Sequence, residues 1–183
     1  MKSLTTRFLM TCAAIGAASG VLLVPVNHIS AIFAPTMPIL YAGLVGFWLL
    51  GPVLGLALLR RPGAGVLTTL IAGLVNVPLT PFGPSAVVTC LMVGVAIEFG
   101  FAVTLYRIWR PWLFSTTTVG FTAIYAAMAY VSFDMASTAV AVQALFFVLM
   151  VGSAGLATWA GLVLAQRVAK TGVTRGLVRP MGA

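Results

Sequence analysis

Acidic residues are almost missing from this sequence. Among 183 residues there are two, Glu98 and Asp134, together with one histidine, His28, and two cysteines, Cys12 and Cys90. Charged residues make up 7% of the chain, where a soluble domain carries about 25%. That shortage excludes intrinsic disorder, a soluble enzyme domain and a secreted disulfide module. The two cysteines read as small buried apolar residues, and no metal-ligand spacing exists. One histidine and two acids leave hydrolysis without a nucleophile–base pair. No glycine-rich loop with a lysine follows a strand, so the chain itself hydrolyses no nucleotide. No enzyme activity, cofactor or metal is expected, and binding or transport is the class that remains.

What the chain has instead is apolar length. Hydrophobic residues make up 61%, and mean hydropathy is +1.14. Apolar runs cover 8–24, 39–59, 64–79, 85–105, 115–133 and 141–166. A bilayer-spanning helix needs about 20 residues, so the pattern predicts an all-α polytopic membrane protein, a single domain of six spans over 1–183. The third run is short, and its exit Thr80-Pro81-Phe82-Gly83-Pro84 is expected to dip into the membrane. The segment Pro25 to Pro38 is expected to be the longest outer loop, lid-like or lying on the membrane surface.

The basic residues give the orientation. With six spans and an inside N-terminus, the cytoplasmic segments hold Lys2 and Arg7, Arg60 and Arg61, Arg107 and Arg110, and finally Arg167, Lys170, Arg175 and Arg179. Those are all ten Lys and Arg residues. Cytoplasmic loops carry such an excess of positive charge, so both termini are placed inside a multi-pass inner (cytoplasmic) membrane protein. The net charge of +8 is then an orientation signal facing lipid, and no nucleic-acid partner is expected. Lys2, Arg7 and the apolar stretch after them mimic a secretory signal. The apolar part before Cys12 is too short for a signal core, and an uncleaved first helix is expected.

Glu98 is the sharpest single feature, because a carboxylate inside a span is costly and normally faces a bundle interior or a wet cavity. It reads either as a contact for a cationic or hydrogen-bond-donating solute or as a structural acid bonded to a neighbouring helix. Its depth is awkward for an outer site, about 20 Å past Ser85 at helical rise. Asp134 reads as a boundary residue in water or as a ligand group. His28 and Asn27 sit beyond the first run, with His28 as a solvated residue or a ligand contact. Asn76 either ties helices together or lines a site, and Thr69, seven residues earlier, shares its face. Trp48 lies too deep for an interfacial belt and reads as a stacking or a packing residue. Trp109 and Trp112 fit that belt. In the first span, Ala14-x-x-x-Ala18 and Gly16-x-x-x-Gly20 repeat small residues at the spacing that lets helices approach closely. That face serves internal packing or docks another membrane subunit.

Gly46-Phe47-Trp48, Arg60-Arg61-Pro62-Gly63-Ala64, Gly83-Pro84, the intramembrane Glu98 and the tail Ala169-Lys170-Thr171-Gly172-Val173 together resemble the substrate-binding S components of energy-coupling-factor (ECF) vitamin transporters. The nearer likeness is to the thiamine-related YkoE family, over roughly 39–173. The resemblance implies an importer subunit for thiamine, its hydroxymethyl-pyrimidine precursor or a related vitamin-like molecule. It implies a transmembrane coupling subunit and two cytoplasmic ATPases as partners, with ATP hydrolysis on the ATPases. It implies substrate contacts at Trp48 and Glu98, and a coupling-subunit contact at Ala14 and Ala18. Where the family is expected to carry further acids, this chain has Ala42, Thr69 and Asn76, which favours a neutral ligand over a permanent cation. Trp48, Asn76 and Glu98 are therefore the expected first contacts, with Thr69 and His28 beside them. The competing reading is a small structural or assembly protein of a larger complex, with no solute site of its own.

Overall fold

The computed structural model describes residues 6–171. The described chain is helical: α1 Thr6–Thr36, α2 Pro38–Leu44, α3 Gly46–Leu59, α4 Ala64–Asn76, α5 Ser85–Val103, α6 Pro111–Ser132 and α7 Val140–Lys170, with a 3-10 turn at Met135–Ser137. α2 and α3 are two parts of one rod with a break at Val45. Counted with α2 and α3 as one rod, the described chain has six helical segments, and each overlaps one of the six apolar runs. Four of them, α1, the α2–α3 rod, α5 and α7, are long and apolar enough to cross a membrane. α4 has 13 residues, about 20 Å at helical rise, and is too short to cross alone.

The first helix differs from the expectation. Residues 25–36, expected as an outer loop, continue α1 to a length of 31 residues, about 46 Å. Pro25 and Pro35 lie inside the helix. Each removes one backbone N–H, yet the helix persists because Val26, Asn27 and Ser30 bury against its neighbours. Packing of one face outweighs two missing hydrogen bonds, and proline is tolerated where neighbouring helices support the backbone.

Helix contacts rest on small residues, since lipid gives no hydrophobic drive for association. A Cβ on Gly16 would meet the Thr68 carbonyl oxygen at 2.7 Å, and one on Gly20 would meet Val75 Cβ at 2.9 Å. The Gly16–Gly20 face of α1 therefore seats α4. Gly46 of α3 is closer still to α7, where an added Cβ would collide with the Ser153 carbonyl oxygen. α6 and α7 are joined by a buried hydroxyl pair, Thr158 Oγ1 donating to Thr118 Oγ1 at 2.9 Å. Ala14 and Ala18 lie on the opposite, exposed side of α1. The two small-residue registers of this helix thus have different fates, one inside the bundle and one facing out.

Short connections make successive segments antiparallel, which sorts the charges. Arg7 opens α1, Arg60 and Arg61 join α3 to α4, Arg107 and Arg110 join α5 to α6, and Arg167 and Lys170 close α7. Every described Lys and Arg therefore falls at one end of the bundle. Lys2, Arg175 and Arg179 lie outside the described residues. The core divides along the same axis. Phe8, Leu56, Leu59, Ile97, Phe101 and Phe114 fill the basic end. Tyr41, Val45, Ala129, Phe146 and Met150 fill the other.

Candidate functional site

A cavity of about 540 Å³ opens at the end away from the basic residues. That is within the usual range for small-molecule sites, roughly 300–1,000 Å³. Its wall draws on the C-terminal half of α1, the start of the α2–α3 rod, the α4–α5 connection, the start of α5 and the end of α6. The Pro81–Phe82 turn, expected to dip into the membrane, forms part of this wall. The aromatic side is an edge-to-face cluster. Tyr41 and Trp48 have centroids 6.0 Å apart, and Trp48 and Tyr125 meet at 6.4 Å and 90°. The hydroxyls of Tyr41 and Tyr125 hydrogen-bond each other and tie α2 to α6.

The polar side is an amide relay. Trp48 Nε1–H donates to Asn27 Oδ1 at 2.9 Å. Asn27 Nδ2 donates to Asn76 Oδ1 at 3.0 Å. Asn76 Nδ2 donates to the carbonyls of Gly20, at 3.0 Å, and Ala72, at 2.8 Å. Ser30 also lines the cavity. Its buried Oγ has no hydrogen-bond partner among the described residues. Among the described residues, none that is acidic or basic lines the wall.

The expected site residues are therefore placed unevenly. Trp48 is on the wall. Asn76 stands one bond behind it, holding Asn27. Thr69 is buried elsewhere on α4. Its hydroxyl donates to its own helix at the Gly65 and Val66 carbonyls, both at 3.0 Å, and it packs on Gly94. His28 is exposed on the far side of α1, with Nδ1 2.9 Å from the Val24 carbonyl. A helix turns about 100° per residue, so adjacent Asn27 and His28 part ways. Asp134 lies in the exposed turn after α6, next to the wall residue Phe133 but not on the wall.

Glu98 is placed away from the cavity, at the junction of α4, α5 and the α5–α6 connection. Gly63 N–H and Tyr106 O–H, the latter at 2.9 Å, both donate to Oε1. Val66 N–H donates to Oε2 at 2.9 Å. The first N–H groups of a helix have no partner within it, and the helix N-terminus carries partial positive charge. Glu98 thus caps α4 from a neighbouring helix, the structural alternative raised for it above. Gly63 fits this role because its φ of +83° is a left-handed conformation that a side chain would strain. Tyr106 answers from the other side. Burial, then its bond to Glu98, push its phenol up to about 12, so it keeps its proton and donates at physiological pH.

Among the wall residues that sequence reading did not select are Asn27, Ser30, Tyr41 and Tyr125. For the first two a signal existed. Asn27, Ser30, Ala31 and Ala34 follow i, i+3, i+4, i+7, a single helix face of polar and small residues. Reading 25–38 as a loop hid it. The two tyrosines, 84 residues apart, carry no local signal.

This is the fold of a membrane transport subunit. A crystal structure of an S component of an ECF transporter superposes with a TM-score of 0.82, covering 95% of this chain and 90% of that one at 22% identity. The sequence pattern of the family described as ABC-type cobalt transport system, permease component, matches residues 8–124, and the chain belongs to that family. Among curated proteins, the presumed HMP/thiamine permease protein YkoE of Bacillus subtilis (strain 168) is 25% identical over 180 residues, 97% of this chain and 90% of YkoE. The protein is a multi-pass membrane transport component.

Proposed function

We propose that this chain is the solute-binding S component of an ECF-type importer, with the cavity as its solute site. The observation that carries this reading is the cavity itself: a ligand-sized, uncharged chamber with an aromatic cluster on one side and a buried amide relay on the other. Flat aromatic faces suit a ring, and a small number of placed polar groups gives orientation. The name of the Bacillus relative points to thiamine or hydroxymethylpyrimidine. The wall offers no carboxylate to offset desolvation of a permanent cation, so the neutral pyrimidine is the favoured solute. Among the described residues no three His, Cys, Asp or Glu side chains stand together as metal ligands, and an organic solute fits the wall better than a bare metal ion.

The basic end faces the cytoplasm by the positive-inside rule, which puts the cavity at the outer surface of the cytoplasmic membrane and both termini inside. Energy then comes from partners, a transmembrane coupling subunit and two ATPases, and the exposed Ala14–Ala18 face of α1 is the coupling contact. The test is thermal unfolding of the full chain in nanodiscs against a panel of thiamine, hydroxymethyl-aminopyrimidine and other vitamin-like solutes. A saturable rise of the transition with the pyrimidine is expected, because a ligand bound only by the folded state stabilises it. Absence of a shift with every solute would overturn the reading.

A further inference from the structure

Asn27 and Ser30, on one face of α1 at the cavity wall, keep hydrogen-bonding capacity that the described residues do not use. A carboxamide has two N–H donors and two oxygen lone pairs. Asn27 spends one lone pair on Trp48 and one N–H on Asn76. One lone pair and one N–H remain, and no other described group takes them.

The orientation of this amide is fixed from both ends. An indole N–H is a donor only, so the Asn27 atom facing Trp48 is oxygen. Asn76 Nδ2 sits against two carbonyls, Gly20 and Ala72, which only accept. Asn76 therefore presents oxygen to Asn27, and Asn27 answers with nitrogen. Flipping either amide would set donor against donor and acceptor against acceptor. Three residues further along α1, on the same face, the buried Ser30 Oγ is without a partner. Buried hydroxyls are normally paired; this one is fully covered, so a solute in the cavity reaches it through a small shift of the wall side chains.

We infer that Asn27 and Ser30 are the specificity-determining residues of the cavity, with Trp48 and Asn76 as positioning residues for the Asn27 amide. The solute is read through an edge with a hydrogen-bond acceptor beside a donor, the pattern of an amino-substituted nitrogen ring. An asparagine amide meets such an edge with two bonds, as it does at adenine. This inference rests on the import reading and deepens it.

The experiment compares three probes on the full chain in nanodiscs by calorimetric titration. They are 4-amino-5-hydroxymethyl-2-methylpyrimidine, the same ring with hydrogen at position 4, and its 4-dimethylamino analogue. The amino probe is expected to bind about 10-fold or more tightly than either analogue, in line with the discrimination of a bidentate pair. Ser30→Ala is expected to leave the ligand-free thermal transition unchanged or raised, because its hydroxyl holds nothing in the protein. Its affinity for the amino probe should fall about fivefold or more, the loss of one hydrogen bond. Trp48→Phe keeps an aromatic ring but frees the amide, and should narrow the preference among the probes. Equal affinities of the wild type for all three probes would overturn the inference while leaving import standing. A Ser30→Ala chain that loses stability but keeps its affinity would do the same. If other solutes stabilise the wild type and none of these probes binds, the edge assignment falls. If nothing stabilises it, the import reading falls first.

Discussion

Replacing Glu98 with glutamine separates a structural acid from a ligand contact. The carboxylate accepts three hydrogen bonds, from Gly63 N–H and Tyr106 O–H at Oε1 and from Val66 N–H at Oε2. Glutamine has one acceptor oxygen. Placed at the Oε1 position, it keeps Gly63 and Tyr106, but its NH2 then faces the Val66 N–H. Placed the other way, it loses two donors instead of one. The smaller loss is one charge-assisted bond, and it leaves a backbone N–H unpaired, about 2–3 kcal/mol. For a chain of this size that corresponds to a fall of about 4–12 °C in the thermal transition. Glu98 does not line the cavity, so solute affinity measured by titration at a temperature below both transitions should stay within about twofold of wild type. A Glu98→Gln chain with an unchanged transition and abolished binding would refute this reasoning, and would restore Glu98 as a solute contact.

Other perturbations test the rest of the architecture. Ala14→Leu with Ala18→Leu adds bulk on the exposed face of α1; stability and solute affinity should hold, while co-purification with the proposed coupling subunit should be lost. Gly16→Leu, on the opposite face, should instead lower the thermal transition, because even a Cβ there lies 2.7 Å from the Thr68 carbonyl oxygen. Gly46→Ala should cost about 1–3 kcal/mol by overpacking, since the obstacle is the Ser153 backbone rather than a movable side chain; an unchanged transition would show that α3 and α7 are further apart than described. Tyr125→Phe strands the buried Tyr41 hydroxyl and should cost about 1–3 kcal/mol. The double change Tyr41→Phe with Tyr125→Phe should cost less than the single one, because removing both partners leaves no unpaired group. A double-mutant cycle measured by thermal unfolding reads this coupling.

The sequence by itself determined the broad architecture. Six apolar segments and basic residues grouped between alternate pairs of them are one-dimensional signals. Hydropathy and charge act residue by residue against a bilayer, so no partner is needed to read them. The helix ends follow the same logic where Arg60 through Gly63 break α3 from α4. Residues 25–36 escaped, because two prolines and a polar pair look like a loop until a buried face is known to hold them helical.

The tertiary structure alone decided the site. Asn27 and Asn76 are 49 residues apart, and Glu98 meets Gly63 across 35. Whether a buried polar group serves a solute or the fold depends on which atoms stand within hydrogen-bond reach. That is a property of helix packing, which spacing along the chain does not encode. Glu98, the one acid of the spans, therefore turns out to cap a helix. Ser30, an unremarkable serine in sequence, is left with an unpaired hydroxyl on the cavity wall.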